Sequence, residues 1–288
     1  MIDIMRILLN SVIALLCIVP LSASAHVPIL VGTGTPSVIA DPERSYAFYD
    51  TLHGASRAYH ISADKAWSLY LNLLVPSIAN PHGTFDATVI SERTGMIVAS
   101  LEGRGVAWKP YYEQFGADNY LRGPELRKTM EPGAYTIVVT GEGNVGAYTL
   151  ALGERESFTP RELIQTLTLI PRLKREFFKV SPASFIASPL GGGYALVLMT
   201  AGFLLAFSIR RFLSIKLSGY TELSLYAKNI GTRDRVVRAA LGLTFFLLAI
   251  LTSWHPVLFI AAGFSVYQAV GTWCLVFSLM GKNTCKIT

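Results

Sequence analysis

Two cysteines, Cys274 and Cys285, stand eleven residues apart in the stretch GTWCLVFSLMGKNTC, where a long apolar run gives way to lysine. A thiol beside Lys282 and Lys286 has electropositive surroundings, which lower a thiol pKa and make the sulfur reactive. One continuous helix between the two cysteines would hold them about 16 Å apart, far beyond the roughly 6 Å between Cα atoms that a disulfide spans. They meet only if the chain turns back at Gly281. A reducing compartment opposes a permanent bond, and two thiolates with no neighbouring histidine fall short of the four ligands of a structural zinc. Two readings stand: a redox or sulfur-handling pair, or small side chains at the end of a membrane helix.

A different chemistry attaches to His26. Arg6, the apolar run Ile7–Leu21 and Ala23-Ser24-Ala25 form the pattern of a signal peptide with its cleavage site, so the mature chain would begin at His26. An uncleaved signal anchor is the alternative. An amino-terminal histidine offers its amine and its ring to copper, and His53, His60 or His82 would supply a third nitrogen, although none stands at a marking spacing. Cys17 lies within the leader and lacks the small preceding residue of a lipidation site. The carboxylates Asp86, Glu113 and Asp118 suit calcium or simply solvated turns. The aromatic group Trp108, Tyr111, Tyr112, Phe115 and Tyr120 would either form a surface for sugars or a partner, or close one end of a core. No phosphate-binding glycine loop, Gly-x-Ser-x-Gly elbow or His-Glu-x-x-His motif is present. No catalytic residue, no cofactor and no enzymatic activity are therefore expected.

The elements that must position these residues follow from periodicity. From Ala66 the pattern alternates, with Trp67, Leu69, Leu71 and Leu73 on one side and Ser68, Tyr70, Asn72 and Leu74 on the other, as a half-buried strand requires. Phe85–Ile90, Met96–Leu101, Tyr135–Thr140 and Ala147–Leu152 repeat it. Glycine- and proline-rich turns between them give the sequence form of a jelly-roll-like β-sandwich. At Thr159 the sequence TPRE offers a capping box with proline at the first helical position. A helix is expected from there to about Phe178, bent by Pro171. Its segment RLKREFFK would lie either on the lipid surface or packed on the sandwich.

Half of the 288 residues are hydrophobic (51%), and the mean hydropathy of +0.43 is too high for an ordinary soluble protein. The net charge of +6 is concentrated in residues 190–288, with nine basic and two acidic side chains. That placement points to cationic loops beside a membrane rather than to nucleic acid. Leu190–Ile209 carries no charge over twenty residues, enough to cross a bilayer. Val236–Ser253 and Val257–Met280 are two further candidate spans, joined by a tight SWHP link. The expected fold is mixed: an exported all-β sandwich followed by three transmembrane α-helices. The divisions are a signal peptide (1–25), the sandwich (26–156), a juxtamembrane helix and linker (157–189), a span (190–210), a basic cytoplasmic loop (211–228) and a closing two-helix domain (229–288). The arginines of the loop place it on the inner side of a prokaryotic inner membrane, with the N-terminal sandwich domain extracytoplasmic and the C-terminus cytoplasmic.

Asn229, Gly231, Asp234, Arg235, Arg238 and Gly242, followed by Cys274, Gly281, Thr284 and Cys285, resemble the motif of the YgaP-like two-helix inner-membrane domain. The resemblance implies a membrane hairpin of no agreed activity. Asp234 and Arg238 are spaced to pair along a helix, Asn229 or Thr232 to cap its start, and Gly242, Gly263 and Gly271 to let helices approach, hence self-association. The exported part resembles secreted prokaryotic sandwich domains appended to peptidases, which implies binding or spacing. The expected partners are the lipid bilayer, a second copy through the hairpin and an extracytoplasmic ligand or protein, and no nucleic acid.

Overall fold

The alternating stretch at Leu71 folds as an inner strand of a six-stranded sheet. The structure is a computed structural model that describes residues 26–32, 38–216 and 227–285. The expected signal peptide with Cys17, most of the basic loop, and Lys286 lie outside the described residues. The described chain forms two compact units, one extending to Ser184 and one beginning at Phe185.

The first unit is a two-sheet sandwich. Its strands are β1 (Val27–Leu30), β2 (Val38–Ile39), β3 (Tyr46–His53), β4 (Arg57–Ala63), β5 (Trp67–Pro76), β6 (Phe85–Ser91), β7 (Ile97–Leu101), β8 (Lys109–Glu113), β9 (Asp118–Met130), β10 (Gly133–Gly141) and β11 (Val145–Leu152). One sheet has the order β1-β3-β11-β5-β9-β8 and the other β2-β4-β10-β6-β7. β1 on β3 and β2 on β4 are parallel and the remaining pairs antiparallel. As the alternation requires, Trp67, Leu69, Leu71 and Leu73 enter the core between the sheets. There they meet Tyr59, Ile61, Val89, Ile137 and Val139 of the five-stranded sheet.

The opposite face of the six-stranded sheet is apolar as well. Ala47, Tyr49, Tyr70, Leu74, Tyr120 and Ala151 point outward there and are covered by Leu173, Phe177 and Phe178. Burying a side chain of that size contributes about 1.5–3 kcal/mol, enough to hold the covering segment on the sheet. This cover is α1 (Pro160–Arg172), continued by a π-helical turn, Leu173–Phe177. Pro171 supplies no N–H to the ladder, and after it the bonds lengthen, Phe178 N donating to Leu173 O at 3.0 Å. RLKREFFK is therefore packed on the sandwich, and the lipid-surface alternative is corrected: its two phenylalanines are buried against Tyr49 and Tyr120. Of the segment expected as juxtamembrane helix and linker, residues 157–184 belong to the sandwich unit and 185–189 to the helical one.

The second unit contains α2 (Pro189–Lys216), α3 (Thr232–Leu251), α4 (Pro256–Gly271) and the short α5 (Leu275–Leu279). Among the described residues only α2 is long and apolar enough to cross a membrane. The expected third span, Val257–Met280, is broken. Thr272 is left-handed at φ 54°, and sixteen residues of α4 reach about 24 Å, short of the roughly 30 Å hydrocarbon layer. α3 has its apolar part preceded by Arg233, Asp234, Arg235 and Arg238. The SWHP link is the tight turn expected, with Trp254 at φ 56° and the His255 ring accepting from Val257 N. The glycines expected to serve self-association are used within the chain. A Cβ on Gly263 would lie 1.8 Å from Met199 O of α2, and one on Gly242 3.2 Å from Val266 of α4.

The α1 capping box forms as the sequence predicts: Thr159 Oγ1 accepts from Glu162 N (3.2 Å), while Glu162 accepts from Thr159 N (2.8 Å) and from Arg44 Nη2 (2.6 Å). The Arg44 guanidinium, then the Thr159 amide and hydroxyl, hold the Glu162 carboxyl at about 2 instead of its ordinary 4.5. Thr159→Ala should destabilise α1 by about 1 kcal/mol, read as faster hydrogen exchange at the amides of Glu162 and Leu163. Because the folded-state pKa is lowered, the contribution of Glu162 is complete above pH 4.5 and fades as the pH falls towards 2.

Candidate functional site

Where α1 leaves the outer face of the six-stranded sheet incompletely covered, a cleft of about 390 Å³ remains. Strand alternation aims Tyr70, Asn72 and Leu74 of β5, Thr149 and Ala151 of β11, and Tyr111 and Glu113 of β8 into it. On β9 the even-numbered Asp118, Tyr120 and Arg122 face the cleft, and so do the odd-numbered Glu125 and Arg127. The switch of parity is a β-bulge: Asn72 pairs with Glu125 but Leu74 with Arg122, so Gly123-Pro124 contributes one extra residue. Asn72 Nδ2 fixes the bulge by donating to Pro124 O at 3.1 Å. Gly123 is needed there, because a Cβ would fall 2.6 Å from the Trp108 ring.

The inner end of the cleft is an ion pair. Lys174, 1% exposed, donates to Gly116 O (2.5 Å), Ala117 O (3.0 Å) and Asp118 Oδ1 (2.6 Å), so all three ammonium hydrogens are placed. Burial pushes the Asp118 carboxyl up to about 7, while Lys174 pulls it the other way. Burial also raises Glu113, whose carboxylate accepts from the amides of Phe115 and Gly116, both at 2.7 Å. At the outer end Arg127 pairs with Glu154 (2.7 Å) and Glu125 (3.2 Å) and lies over the Tyr70 ring. Arg122 stacks on Tyr111, 3.9 Å from the ring centroid, and its Nε is buried with no hydrogen-bond partner. Thr149 Oγ1, on the floor, is buried and unpartnered as well. His26 lines the same end. Burial, then repulsion from Arg122, lowers its ring to about 4, and its Nδ1 meets the Ser45 hydroxyl.

The aromatic group read from the sequence is divided. Tyr111, Phe115 and Tyr120 line the cleft. Trp108 packs against the inter-sheet core and donates Nε1 to Gly103 O at 2.9 Å, and Tyr112 is 47% exposed on the other side of β8. The group is thus neither one surface nor one end of the core. Of the carboxylates considered for calcium, Asp86 accepts from the amides of Gly103 and Arg104 and pairs with the Arg104 side chain. Glu113 and Asp118 do come together, but on Lys174. His60 bonds Glu92 and Thr136. Among the described residues no group of three His, Cys, Asp or Glu side chains is placed to hold a metal ion. Lys174, Arg122 and Thr149 escaped the sequence reading. The available signals were a lysine among Ile170, Leu173 and Phe177 on the apolar face of a helix, and Gly-Pro inside an otherwise extended run.

The second constellation lies in the helical unit. Asn229 Oδ1 accepts from Cys274 N (2.8 Å), and its Nδ2 donates to Cys274 O (2.9 Å) and Ser278 Oγ (2.8 Å). Its backbone N–H bonds Thr272 O, and its carbonyl takes Thr284 N. The chain does turn back at Gly281, at φ 64°, which brings Thr284 onto Gly231 N and the Asp234 carboxylate. Asp234 and Arg238 therefore do not pair as their spacing suggested. Arg238 donates to Cys274 Sγ at 3.3 Å and lies over Phe277, while Arg235 donates to Ala269 O at 2.9 Å. Nor does Asn229 or Thr232 cap α3, whose N-cap residue is Gly231, with no side-chain cap. Cys274 is buried, and Cys285, half-buried, donates to Ile230 O at 3.4 Å; both thiols are free.

Lys174→Met would leave Asp118 buried beside Glu113 without its counter-charge. A loss of about 3–5 kcal/mol is expected at alkaline pH. The folded-state pKa of Asp118 lies above its unfolded 3.8 and rises further in the variant. The folded state then binds the extra proton, and stability falls as the pH rises through that window. Thermal unfolding at pH 5 and pH 8 should show the variant more impaired at pH 8.

No curated protein matches the chain. Among solved structures, the sandwich is similar to the pre-peptidase C-terminal domain of collagenase from Bacillus anthracis, at 15% identity and a TM-score of 0.27, over 41% of this chain and 91% of that one. A β-glucosidase from Paenibacillus barengoltzii is similar at 9% identity and a TM-score of 0.23, over 43% of this chain and 13% of that one. Residues 226–288, the segment tied together by Asn229, match the family described as inner membrane protein YgaP-like, transmembrane domain.

Proposed function

We propose that this protein is a binding module anchored in the inner membrane, presenting its β-sandwich at the outer face and carrying out no catalysis of its own. The observation that carries the reading is the outer cleft. Among the described residues it brings together an arginine with no ion pair and an unsatisfied hydroxyl facing one space. Anchoring rests on α2 and on the YgaP-like segment. α3 and α4 enter the lipid as a hairpin beside α2, as the outward apolar side chains Val236, Leu243, Leu247 and Leu251 of α3 favour, and the arginine-rich loop before them lies in the cytoplasm. A thiol-based role has one observation in its favour, the Arg238 donor on Cys274 Sγ. Against it stands the use of both cysteines in closing the C-terminal turn.

Protease added to sealed spheroplasts should digest residues 26–184 and leave a C-terminally tagged fragment beginning before the basic loop. Cleavage within residues 217–226 while the sandwich stays intact would invert the topology and remove the reading. Alkylating Cys274 and Cys285 in the same membranes should leave ligand binding by the sandwich unchanged.

A further inference from the structure

We propose that the outer cleft binds a small organic carboxylate with an apolar body, and that Arg122 is the residue that recognises it. The inference rests on the reading of the sandwich as a binding module and names its ligand class. The lining contains three permanent cations, and two are already engaged: Lys174 with Asp118, Arg127 with Glu154 and Glu125. Among the described residues Arg122 has no ion-pair partner. Its guanidinium lies against the Tyr111 ring at 3.9 Å, which fixes the plane of the fork, and its Nε is removed from water with no acceptor in reach. A buried charged donor left unsatisfied is costly. The group that suits a planar fork held in one orientation is a carboxylate, which takes two parallel hydrogen bonds.

The remaining lining decides between anions. With Lys174 and Arg127 committed to Asp118, Glu125 and Glu154, the lining offers an anion one uncommitted cation, Arg122, so a doubly charged phosphate would keep one charge uncompensated. A single carboxylate needs only the one free cation. The lining also includes Leu74, Tyr120, Ile170 and Leu173, apolar side chains suited to an alkyl or aryl body. A volume of about 390 Å³ lies in the range of small-molecule sites, roughly 300–1,000 Å³. Thr149 on the floor lacks a hydrogen-bond partner, a second polar vacancy in the same cleft.

The test is calorimetric titration of the purified full-length protein in nanodiscs with 3-phenylpropionate, in parallel with 3-phenylpropylamine, 3-phenylpropanol and inorganic phosphate. Saturable binding of the carboxylate alone is expected, weakened about tenfold or more by Arg122→Gln and by Arg122→Lys, and unchanged by Arg93→Gln on an exposed turn. Should Arg122→Gln fail to fold, the wild type decides: 3-phenylpropionate should protect Arg122 from phenylglyoxal, read by mass spectrometry. No saturable binding at millimolar concentration, equal binding of the amine or of phosphate, full binding by a folded Arg122→Gln, or no protection would each overturn the inference. Because the titration does not depend on membrane orientation, its failure beside an intact spheroplast result removes the ligand class alone. The converse result removes the topology alone.

Discussion

The six-stranded sheet is apolar on both faces, and most of the first unit's structure follows from that double burial. A sandwich sheet ordinarily turns one face to its partner and the other to water. Here Tyr49, Tyr70, Leu74 and Tyr120 occupy the face that should be wet. Left exposed, they would form the kind of contiguous apolar patch that monomeric proteins avoid. The chain solves this locally by laying the segment after β11 back over the sheet. Thr159, Pro160 and Glu162 start that segment sharply, Arg44 of the sandwich holds the start, and Phe177 and Phe178 fasten its end against Tyr49 and Tyr120. Removing the cover would expose the rings and also strand Asp118, whose partner Lys174 arrives only with the cover.

How much of this was legible depended on whether one face or two were buried. Trp67–Leu74 alternates because even-numbered Ser68 and Asn72 are polar, and both the strand and its inner face were readable. β3, YAFYDTLH, buries side chains on both faces, so alternation is erased and the strand is silent. β9 fails for another reason. It is rich in charge and contains Gly-Pro, a pair that ordinarily interrupts a strand, whereas in the structure the pair is a bulge within a thirteen-residue strand. The helix start at Thr159 was fully legible, since a capping box is a local device. The burial of Lys174 was not, because its acceptors, Gly116, Ala117 and Asp118, are nearly sixty residues away.

In the helical unit the same division holds between local and distant partners. Spacing placed Asp234 against Arg238 and Asn229 at a helix cap, both contacts within one turn of helix. The structure spends those residues on the far end of the domain. Asn229 meets both backbone polar groups of Cys274, as a strand partner would, and Asp234 meets Thr284. The last apolar run therefore breaks after Gly271, at the left-handed Thr272, rather than continuing as a span, and just beyond it the Cys274 amide is held by the Asn229 side chain instead of by a helical carbonyl. Buried polar groups must be satisfied, and in an apolar domain one asparagine that satisfies them is enough to fix where the chain reverses. The cysteines flank the next turn, at Gly281, which accounts for their spacing without invoking a bond between them.

The cleft and the bulge are one feature seen from two sides. Without the extra residue at Gly123-Pro124, Glu125 and Arg127 would point into the core between the sheets. There two charges would be buried among the apolar side chains of the core, and the strand would have to end. With it, Arg122, Glu125 and Arg127 all turn outward, and the outer face of β9 changes within a few residues from aromatic to charged. A helix can bury the aromatic half, since Leu173 and Phe177 gain by doing so. It gains nothing over the charged half, where desolvating Arg127 and its two glutamates would offset the contact. The cover therefore stops short, and the boundary between the halves remains open. Arg122 stands on that boundary with an aromatic ring beneath it, while Glu125 and Glu154 are committed to Arg127. An unpaired fork kept in place by a stacked ring, next to an apolar wall that the helix does not fill, is the arrangement from which recognition of an amphipathic anion follows.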